Sequence, residues 1–528
     1  MPQQMFASTV VAPYPTSASP VCLHSPTSLV KHTATPHRSR PRRAHHPVAG
    51  RALNFRSYLY PDQPQPMNLR KRIFRLLGLL LLLALIGGTV YAWRAFPIIS
   101  GYFAKNMASA VFVQHRNPAE VAREDLAGFP FSLASFTVNM RDSSVSASVW
   151  GLARHKAIYR RGLGCTLLNE LSEAQVRARR FALPAPPARA DSAAWPLGER
   201  TPAQLPAGVD RNKLEAAIDA AMHAPSEGGK PAITRAFLVL YDGQIVGERY
   251  APGVDKDMPQ IGWSMSKSLT GALIGILVKQ GKLQLDAPAP VPEWKGTDKE
   301  AITLRQLLQQ SSGLDFEEDY SKPCSVTNML FRSDDMAAFT ARLPLREAPG
   351  TRFYYSSGNS NILSRIIRHT VGEQDYAAFP YRALFHRIGM YSALLEPDAS
   401  GTYIGSSYCY ASPRDFARFG LLYLQDGRWN SEQLLPDGWA KASIQPAPAD
   451  PNGRYGYQFW LNGMNEDKPG ERRFPDAPAD LFYAKGFGGQ GVYMIPSRKV
   501  IVVRMGQRPI DENTFLRNVL SAIAVSSR

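Results

Sequence analysis

The sequence predicts an α+β fold. An antiparallel sheet is flanked by helices and carries a helical subdomain, preceded by one transmembrane helix and a small N-terminal region. Three observations carry this expectation: strand pairs stand at both ends of residues 201–528, apolar helices lie between them, and a long uncharged run precedes the whole. Strands at the two ends of a domain with helices between them indicate an antiparallel sheet packed by helices rather than alternating βαβ units.

Residues 1–66 are rich in Pro, Ser, Thr and His, include the basic cluster His37–Arg43, and show neither helical nor strand periodicity, which reads as a disordered leader. Met67 opens a different pattern. Arg70, Lys71, Arg72 and Arg75 precede Leu76–Trp93, a stretch without a charge that forms about 27 Å of helix, enough to cross a bilayer. Only Arg94 follows closely, so the positive-inside rule puts the N-terminus in the cytoplasm and the body outside. The expectation is a signal anchor over 67–94, single-pass in the cell inner membrane, with lipid contact through residues 76–93 and a periplasmic or extracytoplasmic body. A cleaved signal peptide ending near Val90-Tyr91-Ala92 is the competing reading, disfavoured because the apolar run exceeds a usual signal core. Because a signal segment normally opens a chain, Met67 is a candidate true start, with residues 1–66 a mis-assigned extension.

Residues 95–181 read as a small mixed N-terminal region, 182–200 as a Pro/Ala-rich linker, and 201–528 as the main domain. Within that domain Leu214–Met222 is an amphipathic helix. Ala236–Tyr250 is two strands around the turn Asp242-Gly243, and Ser264–Gln280 is an apolar helix closed by Gly281. Gly491–Ile495 and Lys499–Arg504 pair around Pro496-Ser497-Arg498.

The net charge of +17 would suggest a nucleic-acid partner, but its distribution argues otherwise. Residues 1–94 hold 12 of the Lys and Arg residues and a single acid, Asp62, so most of the excess belongs to the leader and the membrane flank. No nucleic-acid partner is expected. Of the four cysteines, Cys22, Cys165, Cys324 and Cys409, none sits in a CxxC or Cys/His spacing that would hold a metal. One disulfide among the last three and three small buried residues are both consistent with the sequence.

For chemistry, a Ser-His-Asp hydrolase is poorly supported. Beyond the linker only His223, His369 and His386 remain, and no GxSxG elbow accompanies them. Ser264-Met-Ser-Lys267 is the better candidate. Three residues is close to one helical turn, so Ser264 and Lys267 share a face at a helix start, where backbone N–H groups are free. An apolar helix would desolvate Lys267 and lower its pKa toward a value suited to proton abstraction. The motif alone is weak, since Ser28-Leu-Val-Lys31 matches it in the leader. Its context is stronger. After Ser264 come Ile302–Leu314 (ITLRQLLQQSSGL), Pro349–Asn359 (PGTRFYYSSGN), Ser412–Gly420 (SPRDFARFG) and Ala484–Gln490 (AKGFGGQ) before a strand.

This ordered set, over roughly 201–528, resembles the serine β-lactamase and penicillin-binding-protein superfamily, in the branch with class C β-lactamases, DD-peptidases, family esterases and 6-aminohexanoate-dimer hydrolases. The resemblance implies a β-lactamase/transpeptidase-like sheet, no cofactor or metal, and a small-molecule or peptide-like amide or ester substrate. It implies Ser264 as nucleophile, Lys267 as adjacent base and Tyr355 as the proton-shuttling tyrosine of the Y-x-N motif. That tyrosine acts as phenolate or phenol, and a Tyr beside an ammonium can lose its proton near neutral pH. Lys485, Gly486 and Phe487 would form the substrate strand, the Phe487 N–H joining that of Ser264 as oxyanion hole. Two departures stand out. Ser357 replaces the family's Asn, leaving Ser357, Asn359 or Asn361 as substrate contacts, and Tyr457 and Trp460 are further candidates to line the cleft. Ala484 occupies the Lys position of K-T-G, and Lys485, shifted by one strand residue, is expected to point to the opposite face. This disfavours substrates read by a free carboxylate. The expected function is a membrane-anchored serine hydrolase of amides or esters. The alternative is a DD-peptidase, a β-lactamase or a slowly deacylating penicillin sensor. Asp415 and Arg418, one turn apart, read as a structural ion pair.

Overall fold

The computed structural model describes residues 68–188, 191–226 and 231–524; the expected leader and the Met67 start lie outside them. Helix α1, Leu69–Phe112, is exposed along its leucine-rich portion and buried from Ile98 onward. Among the described residues it is the one helix long and apolar enough to cross a membrane. Residues from Tyr91 onward form one compact unit, and the described helical residues before it fall in a second.

The region after α1 is a four-stranded antiparallel meander: β1 (Ala134–Asn139), β2 (Ser144–Val149), β3 (Leu152–Arg160) and β4 (Gly164–Leu168). Phe103, Ala104, Met107 and Val111 of α1 pack with Val145, Ala147, Ala157 and Leu167 of this sheet. The same cluster takes in Val326, Phe331, Ile404 and Tyr408 of the main domain. The end of the expected linker also lies on that domain: Trp195 is buried beneath the Arg418 guanidinium, and Glu199 pairs with Arg414 and Arg418.

The main domain begins with α2 (Arg211–His223) and the hairpin β5 (Ile233–Tyr241) and β6 (Gln244–Tyr250). Asp242 and Gly243 both have positive φ, 47° and 78°, the two-residue turn whose twist suits a hairpin. Next come α3 (Met265–Lys279), α4 (Ser357–Val371) and α5 (Pro413–Leu424). The last strands are β7 (Trp460–Leu461), β8 (Phe482–Gly486), β9 (Gln490–Ile495) and β10 (Val500–Gln507), and α6 (Glu512–Ser521) follows them. The antiparallel six-stranded sheet runs β7-β8-β9-β10-β5-β6, so the two strand pairs expected at the ends of the domain meet at the β10–β5 seam.

This sheet is covered on both faces, which is why AFLVLY and VIVV read as continuous apolar runs rather than alternating ones. Ala236, Leu238 and Leu240 face the core shared with α3 and α5, while Phe237 and Val239 face α2 and α6. Asp415 and Arg418 form the expected pair at 2.9 Å. Cys165, Cys324 and Cys409 are buried free thiols.

Glu396 ties the N-terminal region to the domain. Its fully buried carboxylate receives Lys105 and Ser109 of α1 and the backbone N–H of Cys165 in β4. Asp334 does the same on a smaller scale for the N–H groups of Asn169, Glu170 and Leu171. Removing one partner of a buried pair strands the other charge without water. Glu396→Gln is expected to cost about 3–5 kcal/mol of unfolding free energy. Lys105→Met/Glu396→Gln should lose less than Glu396→Gln alone. Denaturant unfolding of the three proteins checks this, and additive losses would contradict it.

Candidate active site

Apart from Lys279 at its end, the polar residues of α3 gather at its start: Ser266, Lys267, Ser268 and Thr270, preceded by Ser264 as N-cap. These polar groups bind the loops around the helix start. Ser266 accepts from Cys409 N–H at 2.9 Å, Ser268 donates to the Gln458 carbonyl at 2.6 Å, and Thr270 donates to the Gly405 carbonyl at 3.0 Å. Burying hydroxyls without partners would be costly, so each fixes one neighbouring loop.

Ser264 occupies the N-cap position and is partly accessible. Lys267, one turn on, is buried, and its Nζ lies 3.0 Å from each of three oxygens: Ser264 Oγ, Ser357 Oγ and the Ser406 carbonyl. Ser357 spends its own hydrogen on Glu318 Oε1 at 2.6 Å, leaving its oxygen as an acceptor. A neutral amine has two N–H donors and one lone pair. Ser357 and Ser406 take the donors, and the lone pair faces Ser264. Burial lowers the Lys267 pKa to about 8, against the opposing pull of Glu318.

Tyr355 precedes α4, and its hydroxyl interacts with Ser264 and the Trp460 side chain, both of which favour its charged form. Lys267 Nζ is 4.9 Å from its ring centroid, and Trp460 stacks on the ring at 5.0 Å. Of the two forms expected for Tyr355, the surroundings favour the phenol: burial, with Glu318 adding to it, pushes its hydroxyl well above the ordinary value.

Glu318 went unread in the sequence. It accepts the Ser357 N–H at 2.7 Å and the Tyr320 hydroxyl at 2.9 Å, besides Ser357 Oγ. A carboxylate at the first N–H of α4 is where helix geometry favours a negative charge. The acidic run Glu317-Glu318-Asp319 between two motif blocks was the available signal. Ser406 contributes a main-chain carbonyl, for which no side-chain pattern exists.

Other expected residues divide. Gly486 ends β8 against the Gly262 carbonyl and Trp263, an approach that any side chain would block, and this brings Phe487 past the nucleophile turn. Lys485 is corrected as a substrate-strand residue, while its direction is the one its one-residue shift implies: its Nζ pairs with Glu512 of α6 at 2.9 Å, whereas Ala484 packs in the core shared with α3. Successive strand residues face opposite sides, so the cation belongs to the far face. Tyr457 is also corrected. It is 3% exposed, in the core against Trp439, with its hydroxyl on Arg305. Asn359 is held by Gln310 and Ser312, and Asn361 accepts from Ser406 N–H, so neither side chain is directed to Ser264. Ser357 is fully buried and serves Lys267 rather than lining the cleft. Among the described residues no group of three His, Cys, Asp or Glu side chains is arranged to hold a metal ion.

A family model described as Beta-lactamase matches residues 214–525. The chain is 24% identical over 313 residues to 6-aminohexanoate-dimer hydrolase of Paenarthrobacter ureafaciens, covering 55% of this chain and 76% of that protein. It is 35% identical over 121 residues to protein flp of Staphylococcus aureus (strain MRSA252), covering 22% of this chain and 24% of that one. Among solved structures, a penicillin-binding protein homologue from Caulobacter crescentus aligns at 16% identity and a TM-score of 0.46, covering 60% of this chain and 98% of the other.

If Lys485 serves only the far face, Lys485→Ala should lower thermal stability by leaving the buried Glu512 carboxylate unpaired while leaving kcat/KM for ester substrates unchanged. A large fall in kcat/KM at unchanged fold would put Lys485 back in the site.

Proposed function

Since the chain belongs to the beta-lactamase family, we propose that it is a membrane-anchored serine hydrolase that cleaves an amide or ester bond through an acyl-enzyme on Ser264. The observation that carries this is the Lys267 amine, buried at 3.0 Å from Ser264 Oγ with both of its neutral-form donors engaged elsewhere. In this reading neutral Lys267 takes the Ser264 proton as Oγ attacks the acyl carbon. The oxyanion is held between the N–H groups of Ser264 and Phe487. As the C–N or C–O bond breaks, the leaving amine or alcohol takes the Tyr355 proton, and the Lys267 ammonium replaces it. Water then releases the acid by the reverse sequence. Glu318 and Ser357 are positioning residues: they hold Lys267 and do not touch the substrate.

Ala484 in place of a lysine, with Lys485 committed to Glu512, supports uncharged amide or ester substrates over those recognised by a carboxylate, the latter including penicillins and peptides ending in D-Ala. The exposed apolar part of α1, with basic residues before it, supports a single-pass anchor with the catalytic domain outside the cytoplasm.

A fluorophosphonate probe is expected to label the wild type and not Ser264→Ala, and a panel of p-nitrophenyl esters to be turned over only by the former. Equal labelling would sink the nucleophile assignment, and a stoichiometric burst without turnover would favour the sensor alternative. Nitrocefin should be hydrolysed weakly or not at all. Because the base must be neutral, kcat/KM should rise with pH around a midpoint of about 8. Glu318→Gln removes a charge that favours the ammonium, so it should move this limb to lower pH. A limb unmoved or shifted upward contradicts the role given to Glu318.

A further inference from the structure

Large exposed apolar side chains are unevenly placed on the body of the protein. Beyond α1, the described residues expose nine, and five of them, Phe129, Phe136, Met140, Trp150 and Leu152, fall between residues 129 and 152. Isolated exposed hydrophobics need no explanation, but a concentration on one small sheet does.

Trp150 is the most informative of them. Val149 pairs with Leu152, so the β2–β3 hairpin turns through Trp150 and Gly151 alone. Both have positive φ, 51° and 77°. The first position of such a turn favours Asn or Gly; a bulky aromatic there is held in a costly backbone conformation. Folding gains little in return, since Trp150 is 70% and Leu152 61% exposed. Strain maintained without burial points to something outside the chain.

The position of the tip says what that is. Trp150 meets Phe96 of α1 edge-on at 5.3 Å between ring centroids. The hairpin is tied there by Ser100, whose hydroxyl reaches the Ala153 carbonyl at 2.5 Å and His155 Nδ1 at 2.8 Å. Phe96 follows Tyr91 and Trp93, both exposed, Trp93 at 79%. These aromatics close the apolar run of the sequence, where Trp and Tyr gather at a membrane–water interface.

We infer that the Trp150–Leu152 hairpin tip docks into the headgroup region of a lipid bilayer, forming a second membrane contact beside α1. This rests on the anchor reading of α1.

The test uses the full chain in liposomes, in a Cys22→Ser background whose other cysteines are buried. An environment-sensitive fluorophore is placed singly on Trp150→Cys, on Leu83→Cys in the apolar run, or on Ser431→Cys in an exposed hairpin of the main domain. Lipids carry a nitroxide either at the headgroup or deep in the acyl chain. The expected result is loss of fluorescence at 83 with the deep quencher, loss at 150 with the headgroup quencher, and no loss at 431. Quenching at 83 with 150 no more quenched than 431 overturns the tip contact while leaving the anchor standing. No quenching at either 83 or 150 overturns both.

Discussion

Glu396 is the constraint from which the rest of the arrangement can be traced. A carboxylate without exposed surface must be met by hydrogen-bond donors, and its partners come from two elements: Lys105 and Ser109 from α1, and the Cys165 N–H from β4. The main chain around it is equally committed, with Glu396 donating to Tyr408 and accepting from Ile404. The short loop so clamped contains Ser406, whose carbonyl is one of the three oxygens around Lys267. Residues outside the family-matched span therefore help to hold a wall of the site, although none of them has a catalytic group in it.

The second layer of the argument is donor arithmetic. A lysine among three oxygens would ordinarily be an ammonium giving three hydrogen bonds. Here one of the three oxygens carries a hydrogen that it can give up, and burial makes the charge expensive. The short Ser357–Glu318 hydrogen bond turns Ser357 into an acceptor and so removes an ambiguity from the network. The Ser357 hydroxyl receives from Lys267 and gives to Glu318 through one atom, where an amide would need two.

Much of this was legible in the residues, and for identifiable reasons. The hairpin at Asp242-Gly243, the helix after Ser264 and the final strand pair are local patterns with local causes, and each appears within a few residues of its expected bounds. Ser264 and Lys267 are one turn apart, so their proximity needed only helical geometry. That Lys485 would point away needed only the two-residue period of a strand. What could not be read was long-range: Glu318 lies 39 positions from Ser357. Tyr457 and Trp460 are three positions apart in sequence yet separate into core and cleft because the chain turns at Gln458, where φ is positive. The choice between phenolate and phenol at Tyr355 was not legible either, because the burial and the Glu318 carboxylate that favour the phenol depend on tertiary packing.

The one-residue offset at the end of β8 has a further consequence. Attraction between a lysine and a carboxylate across a solvent-reached cleft weakens as mobile ions screen it. A surface made of Gly486 and the exposed Phe487 ring offers shape and dispersion instead, and neither depends on ionic strength. Contacts made on that surface are thus indifferent to salt.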